Sequence, residues 1–461
     1  MSLVLGVPPA VLKLVQEGLL ERAFHDGLFP ALMYRAEAIS EEWAANTGTE
    51  IFMSRPGLLA PQVKPIAPGV DPTPQALSFE QWVARLERYA GTIDTHIPTS
   101  VVSNADLFLR NIHQLGLQAG QSLNRIPRNS LFKAYLSGHT LSIAAAGAAA
   151  TTVRVAALNG FTDVVLTGSQ VRPAPVSAAT PLAVTITGIG TRNVIGYTPD
   201  NPDDPFGPGT ILLDAALGGA GIAARTPIVS SQAPQVIRSG GGASVDAIGA
   251  ADVFVLQDLI NAVNRLRKNN VQPHEDGYYH AHISTDGNSQ VFADAAFQRL
   301  NTALPNGSYY QEAFIGTIAG ASSYLNNEAP DFQNAGARVA TGVNAFYSED
   351  IGAETTNETG INIGRIVVTG RGALVEKYLD EKAYVTEAGV TGKVGEFTIV
   401  NAGIEVQTER IRLILRAPLN RLQDVVAASW SCTTSFPVPS DVSSGGPERY
   451  KRAIVIEHAL D

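Results

Sequence analysis

Four groups of residues in this 461-residue chain have types and spacing that could do chemistry. His280 and His282 alternate along the run Gly277 to Ser284, which places both on one face of a strand, as two ligands of a metal ion would need to be. No acidic residue stands at a compelling spacing from them and His274 belongs to a separate loop, so the pair reads as structural and no metal is assigned. Asp200, Asp203 and Asp204 gather in one loop, but the interleaved Pro199, Pro202 and Pro205 and the missing terminal glutamate fit no EF-hand. Gly188-Ile-Gly190-Thr-Arg-Asn193 is half of a phosphate-binding loop; without a third glycine or a following helix it reads as a hairpin turn. There is no Walker motif and no nucleophile elbow. These residues imply no enzyme and no cofactor.

Composition narrows the class further. With 45% hydrophobic and 16% charged residues the chain is folded material, and its length suits two or three cooperative units. A net charge of -10 argues against a dedicated nucleic-acid binder, because phosphate affinity comes from clustered Lys and Arg. The lone Cys432 excludes an internal disulfide framework and reads as a small apolar residue in a strand around Trp430. The longest Ala-rich run, Ile143 to Ala150, is far short of a bilayer span, and synthesis and folding in a cytoplasm are expected.

The elements that would position these residues follow from periodicity. Leu12, Val15, Leu19 and Ala23 predict an N-terminal helix, and Arg35 to Asn46 a second. Pro56, Pro61, Pro65, Pro68, Pro72 and Pro74 make a stiff extended segment, flanked by Ile51 to Met53 and by Phe79 to Ile97, within which Phe79 to Tyr89 fits a strand or, through Trp82, Leu86 and Tyr89, a helix. Ser103 to Ile126 is the clearest helix: Ser103 with Asp106 forms a capping box, Phe108, Ile112, Leu115, Ala119, Leu123 and Ile126 line one face, and Pro127 is expected to end it. Residues 141 to 242 turn to Ala, Gly, Thr and Val in short β-prone runs, with flexible joints expected at Ser137-Gly138 and Gly240 to Gly242. Asp252 is expected to cap a helix carrying Leu256, Leu259, Ile260, Val263 and Leu266 that stops at Asn269-Asn270; a strand from Gly277 and a helix from Ser289 to Leu300 follow. Later strands are expected at 362–369, 382–386, 396–400, 404–415 and 451–457. Within them Arg410, Arg412 and Arg416 alternate with Ile411, Leu413 and Leu415, giving a cationic face that is either solvated or pairs with an acidic neighbour.

The helix ending in Asn-Asn, the Gly-Tyr-Tyr strand, Phe292-Ala-Asp and Phe314-Ile-Gly-Thr-Ile318 resemble the axial (A) domain of tailed-bacteriophage major capsid proteins of the Hong Kong 97-type fold. The order of elements extends the resemblance over most of the chain. It implies an α+β fold with an N-terminal arm at 1–48, an extended E loop at 49–102 and the spine helix of the peripheral (P) domain at 103–139. It further implies an A domain at 247–360 and returning A- and P-domain strands at 361–461. An inserted β-rich domain at 140–246 departs from the common pattern.

By the same resemblance the protein is a major capsid protein. It would self-assemble as pentamers and hexamers into an icosahedral shell around phage double-stranded DNA. Assembly would take place in the host bacterial cytoplasm, with scaffolding, portal and cement proteins as possible partners and with no membrane. Lys64, Arg410, Arg412 and Arg416 are the expected inter-subunit contacts. Some relatives crosslink a loop lysine to a neighbour's asparagine; Lys64 is the lysine in the E loop, but no motif identifies a partner, so no catalytic residue is carried over. An encapsulin-like compartment shell and a phage decoration or adhesion protein are the alternatives.

Overall fold

The computed structural model describes residues 33–44, 47–56, 63, 65–67, 69, 71–72, 74, 79–96, 107–166, 170–302, 316–330, 332–335, 361–379, 396–399, 403–404, 407–408, 411–416, 425–442 and 446–460. These are mixed α and β, with strands in the majority, and fall into two compact units. One draws on Met1–Phe52, Val83–Arg128 and Leu374–Pro437; the other draws on Met53–Trp82, Asn129–Ala373 and Val438–Asp461.

In the first unit the strand Val425–Ser435, rich in β-branched and aromatic residues, is the backbone of a sheet. Along one side it pairs antiparallel with Glu87–His96, from Val425 opposite His96 to Thr434 opposite Glu87. On its other side lie Arg412–Arg416 and then Glu396–Ile399, and Leu374–Tyr378 with Ala38–Glu42 running parallel to it. Asn124 of the long helix Leu107–Tyr135 accepts the backbone N–H of Tyr34 at 2.8 Å, while Arg35 donates through Nε at 3.0 Å to the buried Glu376.

The long helix buries Ile112, Leu115, Ala119 and Leu123, as the spacing predicts. Its proposed cap at Ser103 and Asp106 lies outside the described residues, as does the first N-terminal helix; where the second was expected, over Arg35 to Asn46, a short helix Met33–Ala36 is followed by the strand Ala38–Glu42. Pro127 does not end the helix, which continues through it to Tyr135. A proline removes one intrahelical hydrogen bond, and the buried Leu123 and Asn124 before it and Leu131 and Phe132 after it hold both flanking turns in place.

In the second unit, Ala453–Ala459 lies between Ile361–Thr369, antiparallel in seven pairs from Ile363 opposite Ala459 to Thr369 opposite Ala453, and Val236–Arg238, parallel. Tyr279–Ile283 and Ala321–Leu325 extend this sheet. Helix Leu256–Lys268 packs Leu259, Val263 and Leu266 against Ala281, Ile366, Val368, Ile454 and Ile456. Asp252 does not cap it. Its carboxylate accepts Gly249 N–H at 2.8 Å, and the first-turn N–H of Leu256 is instead satisfied from a distant position, by Asp294 at 3.0 Å. Asp294 also breaks the helix expected over 289–300 into Thr285–Ala293, capped by Ser284, and Ala295–Thr302.

The same unit contains a six-stranded sheet in the order His139–Leu141, Pro227–Ser230, Leu182–Ile186, Gly190–Pro199, Gly209–Leu213, Thr152–Val155. Hydrogen bonds from Ile143 N to Arg154 O and from Ala156 N to Leu141 O, both 2.9 Å, return the last strand to the first and close the sheet around Val153, Val184, Ile186, Val194, Ile211 and Ile228. Gly188-Ile-Gly190 is the hairpin turn between two of these strands. The expected flexible joints are packed turns: a Cβ on Gly160 would stand 2.2 Å from Gly138 N, and one on Gly240 would stand 2.0 Å from an Asp252 carboxylate oxygen. A fourth sheet runs Glu50–Pro56, Phe79–Arg85, Gln170–Pro175, Asp163–Leu166.

Gly91 sits opposite Trp430 in the longest strand pair, and a Cβ there would fall 2.5 Å from Trp430 Nε1 and 2.7 Å from Gln118 Oε1. Gly91→Ala is therefore expected to destabilise the subunit by about 1–3 kcal/mol through overpacking, read as a lowered denaturation midpoint. An unchanged midpoint would show that the indole can move at no cost.

Candidate functional site

Strand alternation on Phe79–Arg85 turns Glu80, Trp82 and Ala84 inward and Phe79, Val83 and Arg85 outward. Glu80 is thereby a fully buried carboxylate. Its Oε1 accepts the backbone N–H of Val442 at 2.7 Å and the hydroxyl of Ser440, and Arg55 Nη2 lies 4.0 Å from its Oε2. Arg55, near the end of Glu50–Pro56, donates to the Ser440 carbonyl at 2.7 Å and to the Asp441 carboxylate, with its guanidinium 5.8 Å from the Trp82 ring. Asp441 also accepts from Arg452 Nε at 3.2 Å. Both ends of the proline-rich segment are thus fastened to residues 440–442.

The surrounding groups complete a buried charge cluster. Lys451 is 4% exposed and donates to the carbonyls of Asp441 at 2.8 Å and Gly446 at 3.2 Å. Burial pushes its ammonium below the usual lysine range, against the pull of Glu448, Asp441 and Glu80. Arg449 donates to Asp163 and lies 5.2 Å from the Tyr450 ring; burial works against its charge, and Tyr450 and Asp163 outweigh it. Burial raises the phenols of Tyr135 and Tyr450. These cations face carboxylates and carbonyls in the interior, an arrangement that fixes chain geometry and offers no activated nucleophile to solvent.

A second cluster lies in the main sheet of the same unit. Buried Glu457 accepts from Arg238 at 3.0 Å and Arg365 at 3.2 Å; burial raises its pKa, but the two guanidiniums win and hold it below the usual carboxylate value. Burial and Arg238 lower His139 to about 4, and burial lowers His458 as well.

Of the residues singled out by sequence, Lys64 and Arg410 lie outside the described residues. Arg412 and Arg416 lie on a strand paired on both sides, opposite Ser431 and Ala427, with Glu396 across from Arg416. His280 bonds Asp276 at 3.0 Å and stacks on His274 at 3.9 Å, and buried His282 meets Asn326 at 3.3 Å. Asp200 pairs with Arg154 at 2.6 Å. Cys432 is buried beside Trp430 on its strand. Sequence reasoning missed Glu80, Asp441 and Glu457; the available signal was a glutamate two residues from Trp82 on the apolar face of an alternating strand. Among the described residues no helix is long and apolar enough to cross a membrane.

Two consequences are measurable. Glu80→Ala removes the acceptor of the Val442 N–H and the Ser440 hydroxyl and the more distant of the two carboxylates beside Arg55, whose pair with Asp441 remains, so it is expected to cost about 1–3 kcal/mol in denaturant unfolding; a loss below about 0.5 kcal/mol would mean the clamp is solvent-screened. For acid, the folded pKa values of His139 and His458 lie below the ordinary 6.5, so the unfolded chain takes up protons that the folded one refuses. Stability is full above pH 6.5 and falls as pH drops toward 4, with Glu457 adding a further loss below 4.5. His139→Gln should flatten the fall between those limits, as measured by unfolding at a series of pH values; an unaltered slope would remove His139 from the account.

No protein-family model matches the sequence, and no curated protein matches it. Among solved structures the chain is similar to the capsid of Ralstonia phage GP4, at 11% identity and a TM-score of 0.48, covering 94% of this chain and 92% of that one. It is similar to the capsid of cyanophage P-SCSP1u at 13% identity and a TM-score of 0.44, covering 92% and 88%. The capsid of cyanophage Pam1 is matched at 11% identity and a TM-score of 0.44, covering 94% and 92%.

Proposed function

We propose that this chain is a tailed-phage major capsid protein of the Hong Kong 97-type fold. It would assemble as pentamers and hexamers into an icosahedral shell around double-stranded DNA. The observation that carries the reading is the rooted strand pair. Glu50–Pro56 and Phe79–Arg85 bracket a proline-rich segment that cannot form a core of its own, and buried charges fix both of its ends. Phe52 on the first strand is 70% exposed, and Phe79 and Val83 on the second are 44% and 38% exposed. An apolar ribbon held rigidly at its base gains most by lying across another copy of the chain.

In this reading residues 49–102 are the E loop, the long helix is the P-domain spine, 247–360 form the A domain and 140–246 are an inserted domain. Lys64, Arg410, Arg412 and Arg416 meet neighbouring subunits. The chain acts by geometry and has no catalytic step; scaffolding, portal and cement proteins are the partners such a shell takes. The virion is its location, after assembly in the host cytoplasm.

Phe52→Ser with Val83→Ser is expected to leave the unfolding of the isolated subunit within about 0.5 kcal/mol while sharply reducing the yield of closed particles in negative-stain microscopy. Normal particle yield from the double variant would refute the ribbon contact.

A further inference from the structure

We propose that the outer face of the helix Leu107–Tyr135 is the surface that touches the enclosed DNA, an inference that rests on the shell reading above. The motive is charge asymmetry. Residues 107–199 contain seven basic residues (Arg110, Arg125, Arg128, Lys133, Arg154, Arg172 and Arg192) and one acidic residue, Asp163. Seven minus one is +6 for this stretch, so the rest of a chain with net charge -10 carries -16. The helix itself has no Asp or Glu over its 29 residues.

Several of those cations are engaged and carry none of the argument: Arg125 has a partner of its own, Arg128 is fully buried, Arg154 pairs with Asp200, Arg192 donates to main-chain carbonyls and Lys133 lies over Phe206. The helix surface differs. With Ile112, Leu115, Ala119 and Leu123 turned inward, the opposite arc exposes Arg110, His113, Gln114 and Gln121, with Arg125 half-buried beside them. Positions 110, 114 and 121 recur at helical spacing, so these side chains form a stripe parallel to the axis. Arg110 has no hydrogen-bond or ion-pair partner among the described residues. A face with guanidinium and amide donors and no carboxylate suits the phosphate backbone of a duplex, where Arg and Gln position without reading sequence. Few cations per copy, repeated over a shell, would give weak contact at each helix, in keeping with an acidic chain that holds DNA loosely.

The test uses the full chain. Gln114→Glu with Gln121→Glu adds two carboxylates to exposed positions, removes no hydrogen bond found among the described residues and keeps good helix formers. Binding of a short DNA duplex to the unassembled full-chain subunit is followed by fluorescence anisotropy over a salt series, and particle formation is followed separately by negative-stain microscopy. For the wild type, log K should fall with log salt by about 0.9 per phosphate neutralised. The double variant should form particles normally, bind the duplex on the order of tenfold more weakly at low salt and show a shallower slope. Duplex binding by the variant that equals wild type in affinity and slope would overturn the proposal, as would a wild type that does not bind. If the variant loses assembly with duplex binding unchanged, the face joins copies of the chain and the proposal again fails. A wild type that forms no particles, yet binds duplex in a way the variant weakens, would uphold the helix face and defeat the shell reading.

Discussion

Glu80 and Asp441 bring the two ends of the second unit's fold together. The contact of Ser440 with Glu80 spans 360 residues of sequence, and Arg55, Lys451 and Arg452 converge on the same short segment. Burying so many charges carries a large desolvation cost, which is offset only while the pairings stay intact. The cluster therefore behaves as an all-or-none fastening. With it in place, the strands on either side of the proline-rich segment have a fixed exit and return; without it, they have no other buried polar anchor of that strength among the described residues.

The same logic recurs at Glu457 and at Glu376, each a buried carboxylate meeting arginine from a distant segment. All three acids project from strands, where one face of an otherwise apolar row accepts a charge because a guanidinium from elsewhere reaches it. An ordinary core would gain as much from hydrophobic packing. Charged pairs add register: a strand shifted by one residue would turn the carboxylate to the opposite face and leave the arginine buried alone.

Charge is also distributed unevenly at the scale of the whole chain. The acid-poor stretch begins with the long helix and runs through most of the closed six-stranded sheet, while acidic residues crowd the remainder. In an acidic protein this concentrates positive potential on limited surfaces and leaves the rest to repel polyanions.

How much of this was legible in residue order depends on the range of the interaction. Local periodicity determined the apolar faces of Leu107–Tyr135 and Leu256–Lys268, the stop at Asn269-Asn270, the hairpin at Gly188 and most strands between 152 and 213, because each of these is set by neighbours within a few residues. It failed where a distant group overruled a local rule. Pro127 sits inside a helix because both flanking turns are buried, Asp294 supplies the cap that Asp252 was expected to give, and Gly138 and Gly240 are tight because other backbone or side-chain atoms crowd them. The charge cluster was invisible for the same reason: nothing near Glu80 in sequence announces Ser440, Asp441 or Val442. Amino-acid order determined which faces are apolar and where turns fall. Only the tertiary structure decided which charges meet, since pairing across hundreds of residues depends on the folded path of the chain.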